Sequence, residues 1–216
     1  MSTAPSRKRG PYQRSRERRE QIVLAVVDLV DELGHDGVTT ALVAARSGSS
    51  EPTVLYHYPT KDHLLVAALE RMDDLEAQIQ VDTEEGAMLD LDKLRANADA
   101  TQVTSEHRLR LFVVLKGQAA TPGHPAGEYF TRRTEMAMLI FARLIAGRQR
   151  AGLAHPGLDP RETARQVIAL WEGLTFMRLT DPTFDVGQSL IDGIRRLTGE
   201  NWMRALAVLN DPAHGF

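Results

Sequence analysis

Seven basic side chains crowd the start of this chain: Arg7, Lys8, Arg9, Arg14, Arg16, Arg18 and Arg19, opposed by Glu17 alone. The net charge of -3 conceals this, because the remaining residues sum to -9. An arm and a body of opposite sign point to a polyanion as the partner of one end only. Residues 39–58 follow, reading TTALVAARSGSSEPTVLYHY. A short helical pattern at 40–46 meets a second at 50–56 across Ser47-Gly48-Ser49. Gly48 suits a sharp bend because glycine accepts positive φ cheaply. Ser50 is a capping residue, and Pro52 is tolerated only in a first helical turn. Two helices joined so tightly cross steeply, the arrangement in which the second enters a DNA major groove.

Other chemistries find no support. Cysteine is absent, which removes thiolate catalysis, disulfides and cysteine-ligated zinc. The sequence has no HExxH, GxSxG or glycine-rich phosphate loop, and its seven histidines are scattered. His57 and His63 stand at the wrong interval for one helical face, so no metal site or cofactor is expected. Acidic pairs such as Asp73-Asp74 read as solvated charge.

The elements that would position the turn are all helical, and the expected fold class is all-α. Residues 1–13 are rich in Pro, Gly and Ser and read as a disordered basic arm. A first helix is expected at 15–33, striped by Ile22, Ala25, Val26, Leu29, Val30 and Leu33, with Gly34 as its stop. Thr39 or Thr40 caps the next helix. Thr60 caps a fourth, running from Lys61 to about Gln80 and striped by Leu64, Leu65, Ala68, Leu69, Met72 and Leu75. Some 20 residues at 1.5 Å each reach roughly 30 Å, enough to lead into a second body. The acidic run at 82–86 is the candidate boundary. Beyond it, helices are expected near 87–100, 104–120, 125–151, 160–180, 186–198 and 200–209, about nine to ten in all. No apolar run approaches a membrane span, so the protein is expected to be soluble and cytoplasmic.

At residues 16–76 the sequence resembles the TetR (tetracycline repressor) family of bacterial transcriptional regulators. The likeness is carried by Gly34, Thr39-Thr40, Val43-Ala44, Gly48, Ser50, the Glu51-Pro52-Thr53 run, Tyr56-His57-Tyr58, Thr60-Lys61-Asp62 and Leu64-Leu65. It continues more thinly over 157–185. The resemblance implies a helix-turn-helix DNA-binding domain over 14–80, with the motif itself at 39–58. A regulatory and dimerisation domain is expected over 81–216. Leu55 stands where the family keeps a phosphate-touching tyrosine, and Ser49 replaces an apolar anchor of the turn.

Phosphate contacts position a protein on DNA, and groove contacts specify sequence. The expected positioners are Thr40, Thr53, Tyr56, His57 and Lys61, together with Arg7, Lys8, Arg9 and Arg14 of the arm. The expected readers are Ser50, Glu51, Pro52 and Ala41. Glu51 could accept from a cytosine N4 amine, or be a first-turn acid favoured by the helix dipole with no base contact.

One short recognition helix reads few bases, so a homodimer on a palindromic operator is expected. Ala164, Ile168, Leu170, Leu174, Leu190 and Ile194 are the dimer candidates, as the resemblance suggests, with a core within one chain as the competing reading. The resemblance further implies a pocket for a small-molecule effector. Its candidates are Phe112, Leu115, Gln118, Phe130, Met136, Phe141, Trp171 and Met177, with polar handles from His107, Glu128 and Arg178, and core packing is again the competitor. The expected function is a repressor released by an effector. The alternative is an architectural DNA-binding protein that does not read sequence. Deleting residues 1–13 should lower the slope of log K against log salt by roughly 0.9 for each phosphate that the arm neutralises, measured by titrating DNA binding across salt.

Overall fold

The computed structural model describes residues 11–80, 91, 94–95 and 106–209. Arg7, Lys8 and Arg9, the acidic run 82–86 and most of the helix expected at 87–100 lie outside the described residues. Within them the chain is helical throughout: α1 (Pro11–Gly37), α2 (Thr40–Ser47), α3 (Glu51–His57), α4 (Lys61–Gln80), α5 (Glu106–Gln118), α6 (Ala126–Arg150), α7 (Pro160–Arg178), α8 (Val186–Thr198) and α9 (Glu200–Leu209). The all-α class holds, with no strand among the described residues.

Helix α1 starts at Pro11, ahead of the expected Ser15, and takes in residues 11–13 that composition alone assigns to the arm. Proline is pre-shaped for a first helical turn, which is why the helix can begin on it. Gly34, at φ 73° and ψ 165°, is non-helical and interrupts α1 where the stop is expected, and a short helical turn follows it within the same span. The His107 ring lies 3.5 Å from where a Cβ would sit on Gly34, so a larger residue would meet both strain and a neighbour. Leu33, expected on the inward stripe, is 49% exposed. The buried face of α1 closes at Val30, and burial resumes beyond the kink at Val38.

Two apolar clusters organise the packing. The first joins Ile22, Val26, Leu29 and Val30 of α1 to Val43 and Ala44 of α2, Val54 of α3, and Leu64, Leu65, Ala68, Leu69 and Met72 of α4. It does not stop at the end of α4. Leu111 and Leu115 of α5, with Ala126, Tyr129 and Phe130 of α6, belong to the same cluster. The second gathers Leu91, Ile145, Ala164, Val167, Leu190, Ile191 and Ile194.

Polar ties follow the first cluster's edge. Arg108 of α5 grips Asp31 of α1 through two hydrogen bonds, of 2.7 and 2.5 Å. On α6, Tyr129 and Arg133 both donate to Asp73 of α4, and Arg132 donates to Glu70 at 2.6 Å. Desolvation leads the causes that push the Tyr129 phenol up, so it stays protonated and donating.

These clusters locate two sets of the expected residues. Ala164, Leu190 and Ile194 are packed inside the second cluster, Ile168 is also buried, and Leu170 and Leu174 lean on the cluster from outside. Within the chain, the buried faces of α7 and α8 pack on each other and on Ile145 of α6. The pocket candidates are likewise dispersed. Leu115 and Phe130 are buried in the first cluster with Phe112 against it, while Phe141 and Trp171 pack on the second. Gln118 is exposed, and Met136 and Met177 are 59% and 52% exposed. Apolar residues at helical spacing are usually satisfied by core packing, and here most are. An open cleft of about 450 Å³ between α5 and α6 is lined by Lys116, Ala119, Ala120, Gly127, Phe130, Thr131, Thr134 and Glu135. Of the candidates, only Phe130 reaches it.

A charged pair is enclosed at the far end. Arg148 of α6 donates to Glu200 at the start of α9, and both side chains are 2% exposed. Arg204 also reaches Glu200, at 2.5 Å. Removing one member of a buried pair strands the other charge in a poor dielectric. Glu200→Ala should therefore cost about 3–5 kcal/mol in urea unfolding of the full chain, and the double change Arg148→Met with Glu200→Leu should recover most of it.

Candidate nucleic-acid interface

The turn region is built from caps and one bend. Thr39 is the N-cap of α2, its hydroxyl accepting from the Leu42 N–H at 3.2 Å. Gly48 ends that helix at φ 61°, ψ 30°, and the Ser49 N–H returns to the Ala44 carbonyl at 3.0 Å. Ser50 then caps α3, accepting from the Thr53 N–H at 3.3 Å, with Pro52 in the first turn. α2 starts at the expected Thr40 and ends one residue later than expected, and α3 is shifted one residue along the chain. Only Val54 of α3 is buried. Glu51, Pro52, Leu55 and Tyr56 are exposed, Tyr56 to 83%.

The expected DNA residues divide by what holds them. Ala41, Ser50, Glu51 and Pro52 are exposed on the outer side of the motif, and Thr53 and His57 are half-buried. Arg14 lies exposed near the start of α1. Tyr56 and His57 meet edge to face, with ring centroids 5.1 Å apart. Partial burial, then the charges of Arg19 and Arg18, hold the His57 imidazole below its usual range. It is therefore neutral at pH 7 and would act as a hydrogen-bonding group rather than a cation. Lys61 donates to the Asp36 carbonyl at 2.9 Å, tying the start of α4 to the end of α1. The Thr40 hydroxyl donates to the Glu51 carboxylate, joining the first turns of α2 and α3.

Two contacts were not legible in the sequence. Arg18 stands there only as one positive charge among seven, yet its guanidinium donates to the Gly48 carbonyl at 3.2 Å and the Ser49 hydroxyl at 3.4 Å. The one available signal was Ser49 itself, a polar residue in the turn where an apolar anchor is usual. Arg46 and Glu32 form a fork of 2.8 and 2.7 Å that fastens α2 to α1. That hydrogen-bonded fork holds the Glu32 carboxyl below its ordinary range.

Residues 22–68 match the profile of the bacterial regulatory proteins of the tetR family. Over those residues, which hold α2, the turn and α3, the chain is similar to the tetR family. Over 51 residues the chain is 39% identical to the class A tetracycline repressor from transposon 1721 of Escherichia coli, a match spanning 24% of each protein. Solved structures follow much more of the chain. NalD, the secondary repressor of the MexAB-OprM multidrug efflux pump in Pseudomonas aeruginosa, superposes with TM-score 0.58 at 23% identity, covering 84% of this chain and 96% of NalD. The multidrug binding protein EbrR, crystallised with imidazole, gives 0.65 at 21% identity, covering 91% and 97%. A TetR-family member from Streptomyces coelicolor A3 gives 0.61 at 22%, covering 84% and 98%. At such identities these likenesses establish the fold.

Space around Gly48 is open, so its requirement is conformational rather than steric. Gly48→Val should lower stability by about 1–2 kcal/mol through the left-handed backbone alone, and Gly48→Asn should cost clearly less, as read by thermal melting of each variant.

Proposed function

We propose that this chain is a dimeric, sequence-specific transcriptional regulator rather than an enzyme. In this reading it is a cytoplasmic repressor that binds a palindromic operator and is released by a small-molecule effector. The observation that carries the proposal is α3: a capped helix with one buried residue, presented outward by a TetR-family unit. Ser50, Pro52 and Ala41 face the bases, and Thr53, Tyr56 and His57 meet the flanking phosphates. Arg14 and the basic residues ahead of it add sequence-independent attraction.

A seven-residue reading helix specifies too little sequence alone, and two-fold pairing doubles the site. The surface that supports a second copy is the outer face of α7, one of several exposed apolar faces among the described residues, where Ala169, Gly173, Phe176 and Met177 repeat at helical spacing. Small residues there let two helices approach closely, and Phe176, 56% exposed, supplies apolar area to bury. The effector reading rests on likeness: NalD governs a multidrug pump and EbrR binds drugs, and the C-terminal helices here share their fold. An effector acts by preferring the state in which the paired reading helices no longer match the half-sites.

A footprint on DNA flanking the protein's own gene, repeated with candidate metabolites, tests the proposal. One discrete palindromic footprint is expected, erased by at least one metabolite. Uniform coverage of any duplex would instead favour an architectural protein. Sedimentation of the full chain should give a dimer, and Phe176→Asp should shift it to monomer and weaken operator binding at least about tenfold, since each monomer then holds one half-site only. A monomer in the unaltered protein would reject the pairing.

A further inference from the structure

The Thr40–Glu51 hydrogen bond assigns these two residues different tasks from those their positions suggest. A hydroxyl carries one donor hydrogen, and that of Thr40 is directed at Glu51 Oε1. It cannot at the same time donate to a phosphate. Glu51 meanwhile is an exposed acid in the first turn of the reading helix. On a surface that meets a polyanion, a carboxylate is repelled unless a donor awaits it. Major-groove edges offer two amines, cytosine N4 and adenine N6. Adenine sets its N7 acceptor beside N6, where it would face the second carboxylate oxygen, whereas cytosine presents N4 with no acceptor on its outer side. A carboxylate has two oxygens and several lone pairs, so occupation of Oε1 by Thr40 leaves Oε2 to accept.

We infer that Glu51 selects a cytosine in each half-site and that Thr40 is its positioning residue. The inference rests on the regulator reading above and specifies what its reading helix recognises. Fixing the carboxylate from α2 removes rotamer freedom before DNA arrives, so the base contact costs less ordering. The same bond ties the first turn of α3 to α2, which makes the aim of the reading helix depend on both.

Enrichment of binding sites from a randomised duplex library tests this with the full chain, its Glu51→Gln and Glu51→Ala variants, and Thr40→Val beside Thr40→Ser. The unaltered protein should return a palindrome with cytosine favoured about tenfold at one position per half-site. Glu51→Gln should move that position to adenine, because an amide pairs with N6 and N7 together, and leave the other positions unchanged. Glu51→Ala should erase the preference there alone. Thr40→Ser should keep the cytosine, and Thr40→Val should weaken its selection several-fold without altering the rest of the palindrome. Identical consensus sequences from the unaltered protein and both Glu51 variants would overturn the role of Glu51. A loss spread evenly over all positions would make both residues merely structural and overturn the inference. Undiminished cytosine selection by Thr40→Val would overturn the positioning role. Failure of the unaltered protein to enrich any palindrome would reject the regulator reading itself.

Discussion

Helix α3 depends on a single anchoring side chain. Seven residues are too few to hold a helix in water, where nucleation is costly and propagation barely favourable. α3 persists because Val54 is wholly buried in the cluster that α1, α2 and α4 share, and because Ser50 and the Tyr58 N–H close its two ends. Everything that sets the direction of α3 acts through neighbours: the left-handed Gly48, the Arg18 guanidinium across the bend, and the hydroxyl bridge from Thr40. Such a helix is exposed for use and rigid by attachment, with little intrinsic stability of its own.

α1 is the member to which that attachment leads. It packs on α2, α4 and α5, and its polar edge accepts the Arg46 fork at Glu32 and the Arg108 fork at Asp31. The second of these comes from beyond α4. Together with the ties from α6 to Glu70 and Asp73, it connects the later helices to both α1 and α4. A displacement of α5 or α6 would thus reach the turn through packed side chains and charge-assisted hydrogen bonds, each short and directional.

Helical periodicity made most of the architecture readable in advance. The stripes of α1 and α4 were read in place, and the spans expected at 160–180, 186–198 and 200–209 lie within a few residues of α7, α8 and α9. The turn was legible too, because Gly48, Ser50 and Pro52 each have a conformational signature. What periodicity could not reveal was the partner of an apolar face. Ala164, Leu190 and Ile194 carry the same pattern whether they meet a neighbouring helix or a second subunit, and here they meet a neighbouring helix. Arg18 was hidden for a related reason: its acceptors lie thirty positions away, and only the folded path of the chain brings them together.

The first cluster crosses the line that the acidic run draws through the sequence. Leu111, Leu115 and Phe130 share one interior with Ile22, Val54 and Leu64. A front piece severed after α4 would leave water against surfaces that α5 and α6 normally cover. A chimaera grafting this reading head onto a foreign body would have to carry those two helices with it, or have its graft boundary redesigned to be polar.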